Sequence, residues 1–395
     1  MKIGFNVLIA YLIFVFQGLI APLGSVMIIE IATKYGVDTS IIGYIFALGI
    51  VGGGISALAS GFLIEKFGKR KVVFAGIFIA TLAGATITSS NYLAMFALGM
   101  FLSGVSSWFM VAVGNYIIVK YYQGEKRSSQ LNLLNFFYSI GALITPTLAG
   151  FMLERDVPWE VAFLTPFILL VLLAILSYSP VFGTSKSKGS LERKLSQTVS
   201  EEKWNVNIYV TGIALGIYCM LEISYTSWIV VHLRENLTVD IVAASLVLTI
   251  FYICQATGRF ASGFIVKHIK LNIYILACSS LGLVAASLIV FSKSYIVVLC
   301  LTILMGLGIA SLYPSILSYG TLQVKRASPR IMTFFLTSGI VGSVVGMLIT
   351  SFLKQNFGVL ACIITTAISL AFVIICIGVT MLGVQRNGLD RKKIL

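Results

Sequence analysis

Glu222 stands in the middle of a long apolar run, residues 206–236, where a carboxylate has no water around it. Helical spacing sets Tyr218 one turn before it and Tyr225 one turn after it, so a single face carries an acid between two phenols. An acid at mid-helix costs about 2.5–3.5 kcal/mol on insertion scales, so it must face a bundle interior or a wet cavity. Two roles fit: a neutral, hydrogen-bonded Glu that locks two helices, or an acid that couples a proton or binds a solute.

Two further stripes repeat the pattern. Asn132, Asn135, Tyr138 and Ser139 share a face of the run 130–154, and Tyr252, Gln255 and Arg259 share a face of 240–266. Amides donate and accept, and aromatic faces stack on C–H surfaces, which suits a neutral polyhydroxylated solute. The same amides also serve as glue between helices. Gln17 and Asn115 are candidates of the same kind. Arg259, towards the end of its run, suits carbonyl capping, pairing across a bundle, or gating.

Covalent chemistry has no support. His232 and His268 fall near opposite ends of their runs, and all six cysteines sit in apolar runs without a CxxC pair. No Gly-rich loop leads into Lys-Ser or Lys-Thr. The expectation is no catalytic residue, no metal and no cofactor.

The elements that position these side chains must be membrane helices. With 58% apolar residues, 11% charged and a mean hydropathy of +1.00, the chain cannot hide its apolar surface in one water-soluble core. Runs long enough to cross about 30 Å of hydrocarbon occupy 5–33, 40–65, 71–90, 92–121, 130–154, 160–181, 206–236, 240–266, 271–292, 294–324, 329–356 and 358–384. They are taken as spans 1 to 12. The first is too long for a signal peptide and leads straight into the second. Each is too long for a barrel strand and lacks strict alternation, so helix is the only state that satisfies its backbone in lipid.

The chain is also duplicated. Ser60-Gly61-Phe62 recurs as Ser262-Gly263-Phe264, Gly104 as Gly306, and Lys126-Arg127-x-Ser129 as Lys325-Arg326-x-Ser328. The fold class is therefore all-α: twelve transmembrane helices in two six-helix pseudo-symmetric bundles. The N-terminal bundle takes 1–181, a polar cytoplasmic linker 182–205, and the C-terminal bundle with a short basic tail 206–395.

The net charge of +14 reports topology rather than nucleic-acid binding. Lys2, Lys66, Lys69, Arg70, Lys71, Lys120, Lys126, Arg127, Lys186, Lys188, Arg193, Lys194, Lys203, Lys267, Lys270, Lys325, Arg326, Arg330 and the basic tail fall on one side of the membrane. Lys34, Arg155, Arg234, Lys293 and Lys354 fall on the other. The rich side is cytoplasmic, and so are both termini.

Gly61-x-x-x-Glu65-Lys66-x-Gly68-Lys69-Arg70 resembles the signature of the loop between spans 2 and 3 in the major facilitator superfamily, with Glu for the usual Asp. Span 5, Leu131 to Pro146, together with Tyr218-x-x-x-Glu222 through Trp228 and Gly258-Arg259-Phe260, resembles the fucose permease group of sugar:proton symporters. Glu201-Glu202-Lys203-Trp204 and Val324 to Arg330 are more similar still to that group's bacterial TsgA-like branch. The resemblance implies a secondary transporter of a bacterial inner membrane, working by alternating access with a small-molecule substrate and a proton, among lipids, as a monomer. It departs from the sugar symporters in its acids: span 1 has only Glu30, near its outer end, and span 4 has none, with Val111 at the aligned position. Efflux by antiport, and a sensor or scaffold that kept the fold, stay open beside symport of a sugar or other polar metabolite.

The resemblance also implies a conformational latch in Gly61, Glu65, Lys66, Gly68, Lys69 and Arg70, and the position of Arg259 near the end of span 8 groups it with that latch. Gly61 and Gly68 permit close approach and a tight turn, and Glu65 can pair with a cation or cap a helix. The second copy has Lys267 for Glu65 and Lys270 for Gly68, so its latch is weaker or absent. Reporters fused at 182–205 and at the C-terminus should both register as cytoplasmic; an external signal at either position overturns the orientation.

Overall fold

The computed structural model describes residues 2–183, 204–266, 268–323 and 329–386, and every regular element among them is a helix. Lys267, most of the linker (184–203), the 324–328 copy of the basic motif and the tail after Arg386 lie outside the described residues. Twelve stretches are long and apolar enough to cross a membrane: Gly4–Tyr35, Thr39–Phe67, Lys69–Ser89, Leu93–Tyr121, Ser129–Glu154, Trp159–Tyr178, Val206–Asn236, Ile241–Ile265, Leu271–Phe291, Tyr295–Leu322, Ile331–Phe357 and Val359–Leu382. Their bounds lie within a few residues of the spans expected from hydropathy.

Local chemistry starts and stops these helices. Asp38 and Asp240 cap spans 2 and 8, each accepting a backbone N–H at 2.8 Å, from Ser40 and Ala243. Gly68 sits at φ +83° between spans 2 and 3, a conformation that a residue with a Cβ adopts only under strain. Outward faces carry large apolar side chains such as Phe78, Ile168, Phe264 and Phe291, the surface that lipid covers.

The chain forms two compact units, Met1–Gln197 and Thr198–Leu395. Within the first, span 1 packs on span 5, and spans 2 and 3 pack on span 4. Within the second, span 7 packs on span 11, and spans 8 and 9 pack on span 10, so the duplicated sequence folds into duplicated packing. The recurring glycines explain part of it. A Cβ on Gly104 would lie 1.8 Å from the Gly49 carbonyl oxygen, and one on Gly306 would lie 2.7 Å from Cys254 Cβ and 3.0 Å from the Phe251 oxygen. Each glycine lets the fourth helix of its unit meet the second.

Three spans that read as continuous apolar runs are broken in the structure. Span 1 divides into Lys2–Ile20 and Leu23–Tyr35, span 6 into Trp159–Leu164 and Phe167–Tyr178, and span 10 into Tyr295–Ile309 and Leu312–Leu322. A proline lies at or just past each break: Pro22, Pro166 and Pro314. Proline has no N–H for the carbonyl four residues back, and its ring crowds that carbonyl. The freed or exposed carbonyls take side-chain donors instead. Thr145 Oγ1 donates to the Leu19 oxygen at 2.9 Å, and Thr165 Oγ1 to the Ala162 oxygen at 2.8 Å.

Gly104→Val and Gly306→Val should each cost about 1–3 kcal/mol by overpacking. Gly378→Val, where nothing lies within 4 Å, should be close to neutral. Melting temperatures of the purified variants check this; equal stability across the three contradicts the packing account.

Candidate functional site

The polar centre of the second unit is built from spans 7, 8 and 10. Gln255, one turn before Arg259 on span 8, donates from Nε2 to Glu222 Oε1 at 2.6 Å. Arg259 Nη2 lies 3.7 Å from the same oxygen. Both charged side chains are about a quarter exposed, 26% for Arg259 and 28% for Glu222, whereas Gln255 is buried. One carboxylate oxygen thus takes an amide and a guanidinium from the same face of the neighbouring helix, as the i, i+4 spacing of Gln255 and Arg259 allows.

Arg259 has a second partner. Its Nε–H donates to the Ala310 carbonyl oxygen at 3.0 Å, the acceptor that an N–H at position 314 would have used had that residue not been proline. Tyr218, fully buried, reaches the adjacent Ile309 oxygen with its hydroxyl at 3.4 Å. Ser311 Oγ pairs with the Tyr274 hydroxyl from span 9 at 2.5 Å. The break in span 10 is therefore held by three side chains from three helices. Tyr313 completes the group: its ring centroid is 6.1 Å from that of Tyr218, and it lies within electrostatic reach of Glu222.

Tyr225 is not part of this cluster. It is fully buried, shares a hydrogen bond of 2.6 Å with Thr302 Oγ1 and packs its ring 5.0 Å from Phe251. It joins span 7 to span 10 one turn further along. Trp228 does the same towards span 11, donating from Nε1 to Thr350 Oγ1 at 2.9 Å.

The candidates of the first unit are not gathered in the same way. Gln17 is buried, and its Nε2 has no hydrogen-bond partner among the described residues. Asn115 is half-buried. Asn135 is exposed and turns its amide back to the Leu131 carbonyl of its own helix at 3.1 Å. Tyr138 is half-buried, and its backbone oxygen lies against Gly18, 1.9 Å from where a Cβ would stand. Asn132's side chain lies outside the described residues.

The signature loop separates into an exposed half and an anchored half. Gly61 and Glu65 are exposed, and Glu65 has no hydrogen bond or ion pair among the described residues. Lys66 is exposed too and lies over the rings of Phe62 and Phe67, at 5.5 and 5.4 Å. Lys69 is buried: it donates to Asn6 Oδ1 of span 1 and sits 4.6 Å from the Phe182 ring centroid and 5.5 Å from that of Tyr121. Arg70 donates to the Tyr178 carbonyl at 2.5 Å, with the Tyr178 ring 5.4 Å from its guanidinium carbon. Lys69 and Arg70 thereby bind the loop to spans 1, 4 and 6 within the first unit.

Sequence reasoning missed Tyr313, Tyr274, Thr302 and Thr350 as partners. Tyr313-Pro314 inside an apolar run was the available signal, since a mid-span proline announces a carbonyl that needs another donor.

Comparison with known proteins bears on the whole chain. Residues 7–221 and 210–393 each match the Major Facilitator Superfamily. The TsgA homolog of Yersinia pseudotuberculosis is 24% identical over 96% of this chain and 96% of its own length. TsgA of Shigella flexneri is 25% identical over 90% of each, and the homolog of Buchnera aphidicola from Schizaphis graminum 24% over 87% of each. A crystal structure of a D-xylose-proton symporter superposes with a TM-score of 0.78 over 96% of this chain and 97% of that one, at 13% identity, a likeness of fold.

Removing Lys69 should cost more than removing Glu65. Glu65→Ala should stay within about 0.5 kcal/mol of the parent, while Lys69→Ala loses a charge-assisted hydrogen bond and two ring contacts and should cost about 1–3 kcal/mol. Melting temperatures compared side by side check this; a larger loss for Glu65→Ala contradicts the anchoring described here.

Proposed function

We propose that this chain, which belongs to the Major Facilitator Superfamily, is a proton-coupled symporter of a neutral polar metabolite such as a sugar, with Glu222 as the coupling acid. At the coarser level it is a secondary transporter and a multi-pass membrane protein with a small-molecule substrate, related to bacterial TsgA proteins, and not an enzyme. The bias of basic residues supports both termini in the cytoplasm and the bacterial cytoplasmic membrane as its location. It acts, on this reading, as a monomer.

One observation carries the coupling role: Glu222, deep in span 7, holds Gln255 and Arg259 on one carboxylate oxygen while staying partly exposed. The guanidinium is held by the carboxylate's charge, and a proton on Glu222 removes that attraction, so proton binding changes which contacts Arg259 keeps. Partial exposure gives the proton a path. The remaining groups of this cluster, Gln255, Tyr218 and Tyr313, are a neutral amide and two phenols. Arg259 is balanced by Glu222, so the site carries little net charge to offer an ionic solute. This supports a neutral, hydroxyl-rich substrate.

The apolar first unit, with Val111 where sugar symporters carry an acid in span 4, favours a second reading, efflux by antiport. A thermal-shift screen of the purified protein against monosaccharides, nucleosides and common metabolites supplies the test solute. In proteoliposomes under an imposed pH gradient, symport predicts inward accumulation of that solute, and antiport predicts extrusion. Glu222→Gln keeps volume and hydrogen bonding but exchanges no proton. It should abolish concentrative uptake while downhill exchange of the solute continues. Unchanged accumulation in this variant, with a lowered melting temperature, assigns Glu222 a structural role and sinks the coupling.

A further inference from the structure

The break in span 10 leaves a carbonyl that the helix cannot satisfy. Pro314 supplies no N–H to the Ala310 oxygen, and inside hydrocarbon an unsatisfied carbonyl costs several kcal/mol. Arg259 Nε meets that oxygen at 3.0 Å, and the other end of the same guanidinium lies 3.7 Å from Glu222 Oε1. A guanidinium is rigid and planar, so anchoring Nη2 on the carboxylate fixes where Nε points. The other groups facing Glu222 among the described residues do not compete for this role. Gln255 donates to Glu222 whatever its charge; the Tyr218 hydroxyl lies between the Glu222 carboxylate and the Ile309 oxygen and does not reach the Ala310 oxygen; Tyr313 and Cys219 lie near without a hydrogen bond to the carboxylate.

We propose that Arg259 is a positioning residue that ties the charge on Glu222 to the break in span 10, closing the gap at Ala310 while Glu222 is ionised and opening it when Glu222 is neutral. The inference rests on the coupling role proposed above and adds the element on which that coupling acts. With Glu222 ionised, the guanidinium is held across both acceptors, and the halves Tyr295–Ile309 and Leu312–Leu322 are braced against span 8. With Glu222 neutral, Nη2 loses its ionic partner and the guanidinium is free to turn. The Ala310 oxygen then loses its donor, and the break loosens. The Ser311–Tyr274 bond keeps a second tie in place, so the change is a local loosening rather than unfolding.

Hydrogen exchange of the full chain, read by mass spectrometry on peptides covering 311–323, tests this in the absence of any solute. Arg259→Lys keeps the positive charge and loses the two-pronged reach; it should speed exchange at the start of Leu312–Leu322 roughly tenfold or more. Glu222→Gln should speed the same peptides, while those of span 9, Leu271–Phe291, stay unchanged. Pro314→Ala restores an N–H to the Ala310 oxygen, so in that background the effect of either substitution should largely disappear. Unchanged exchange over 311–323 in Glu222→Gln overturns the proposal, as does an increase that Pro314→Ala leaves intact. Failure here is separable from failure of the coupling role. Lost accumulation with unchanged exchange removes the relay and keeps Glu222 as the coupling acid, whereas retained accumulation with raised exchange removes the coupling itself.

Discussion

A backbone carbonyl inside hydrocarbon has no water to turn to, and the polar cluster of the second unit is organised around that constraint. Nine of the twelve spans run as one continuous helix, span 5 around Pro146. Spans 1, 6 and 10 are broken, with a proline at or just past each break. Two of the breaks are closed by threonines, Thr145 and Thr165, which are neutral and have no charge state to change. The third is closed by Arg259, which is permanently charged and is itself held by an ionisable group. A structural necessity and a contact to a carboxylate coincide at one guanidinium.

That coincidence explains the placement of the other polar groups. Tyr218 spans from the acid's own helix to the same break, and Tyr274 reaches it from span 9. Tyr225 and Trp228, further along span 7, end on Thr302 and Thr350 and fix that helix against spans 10 and 11. Span 7 is thereby held at several points along its length, with Glu222 the carboxylate among these residues. In the first unit the charged groups lie elsewhere: Lys69 in its aromatic surround, Arg70 on the end of span 6, and Lys34 paired with Glu160 at 2.9 Å. Of these, Lys69 and Arg70 anchor the signature loop.

The fold was legible in the sequence because hydropathy, basic-residue bias and the recurring Gly104/Gly306 and Ser-Gly-Phe elements each follow from local composition. Glu222 stood out for the same reason, since an acid in an apolar run is conspicuous without knowledge of its neighbours. Gln255 and Arg259 were grouped by helical spacing. That they meet Glu222 was not legible, because spacing fixes which residues share a face and says nothing about which helix that face meets. The burial of Lys69 was hidden by its setting in a run of basic residues. Tyr225 shares Glu222's helix at i+3, yet its hydroxyl ends on span 10, a divergence that the length of a tyrosine side chain permits and a helical wheel does not show.

The claim on which this account turns is that Glu222 gains and loses a proton inside the assembled bundle, and infrared difference spectroscopy across a pH titration of the solute-free protein reads that directly. The account predicts a protonated-carboxyl band that grows on acidification in the parent chain and is missing from Glu222→Gln, with a guanidinium band shift of the same midpoint that Arg259→Lys removes. A parent spectrum without such a band, or one that Glu222→Gln leaves unaltered, would contradict it.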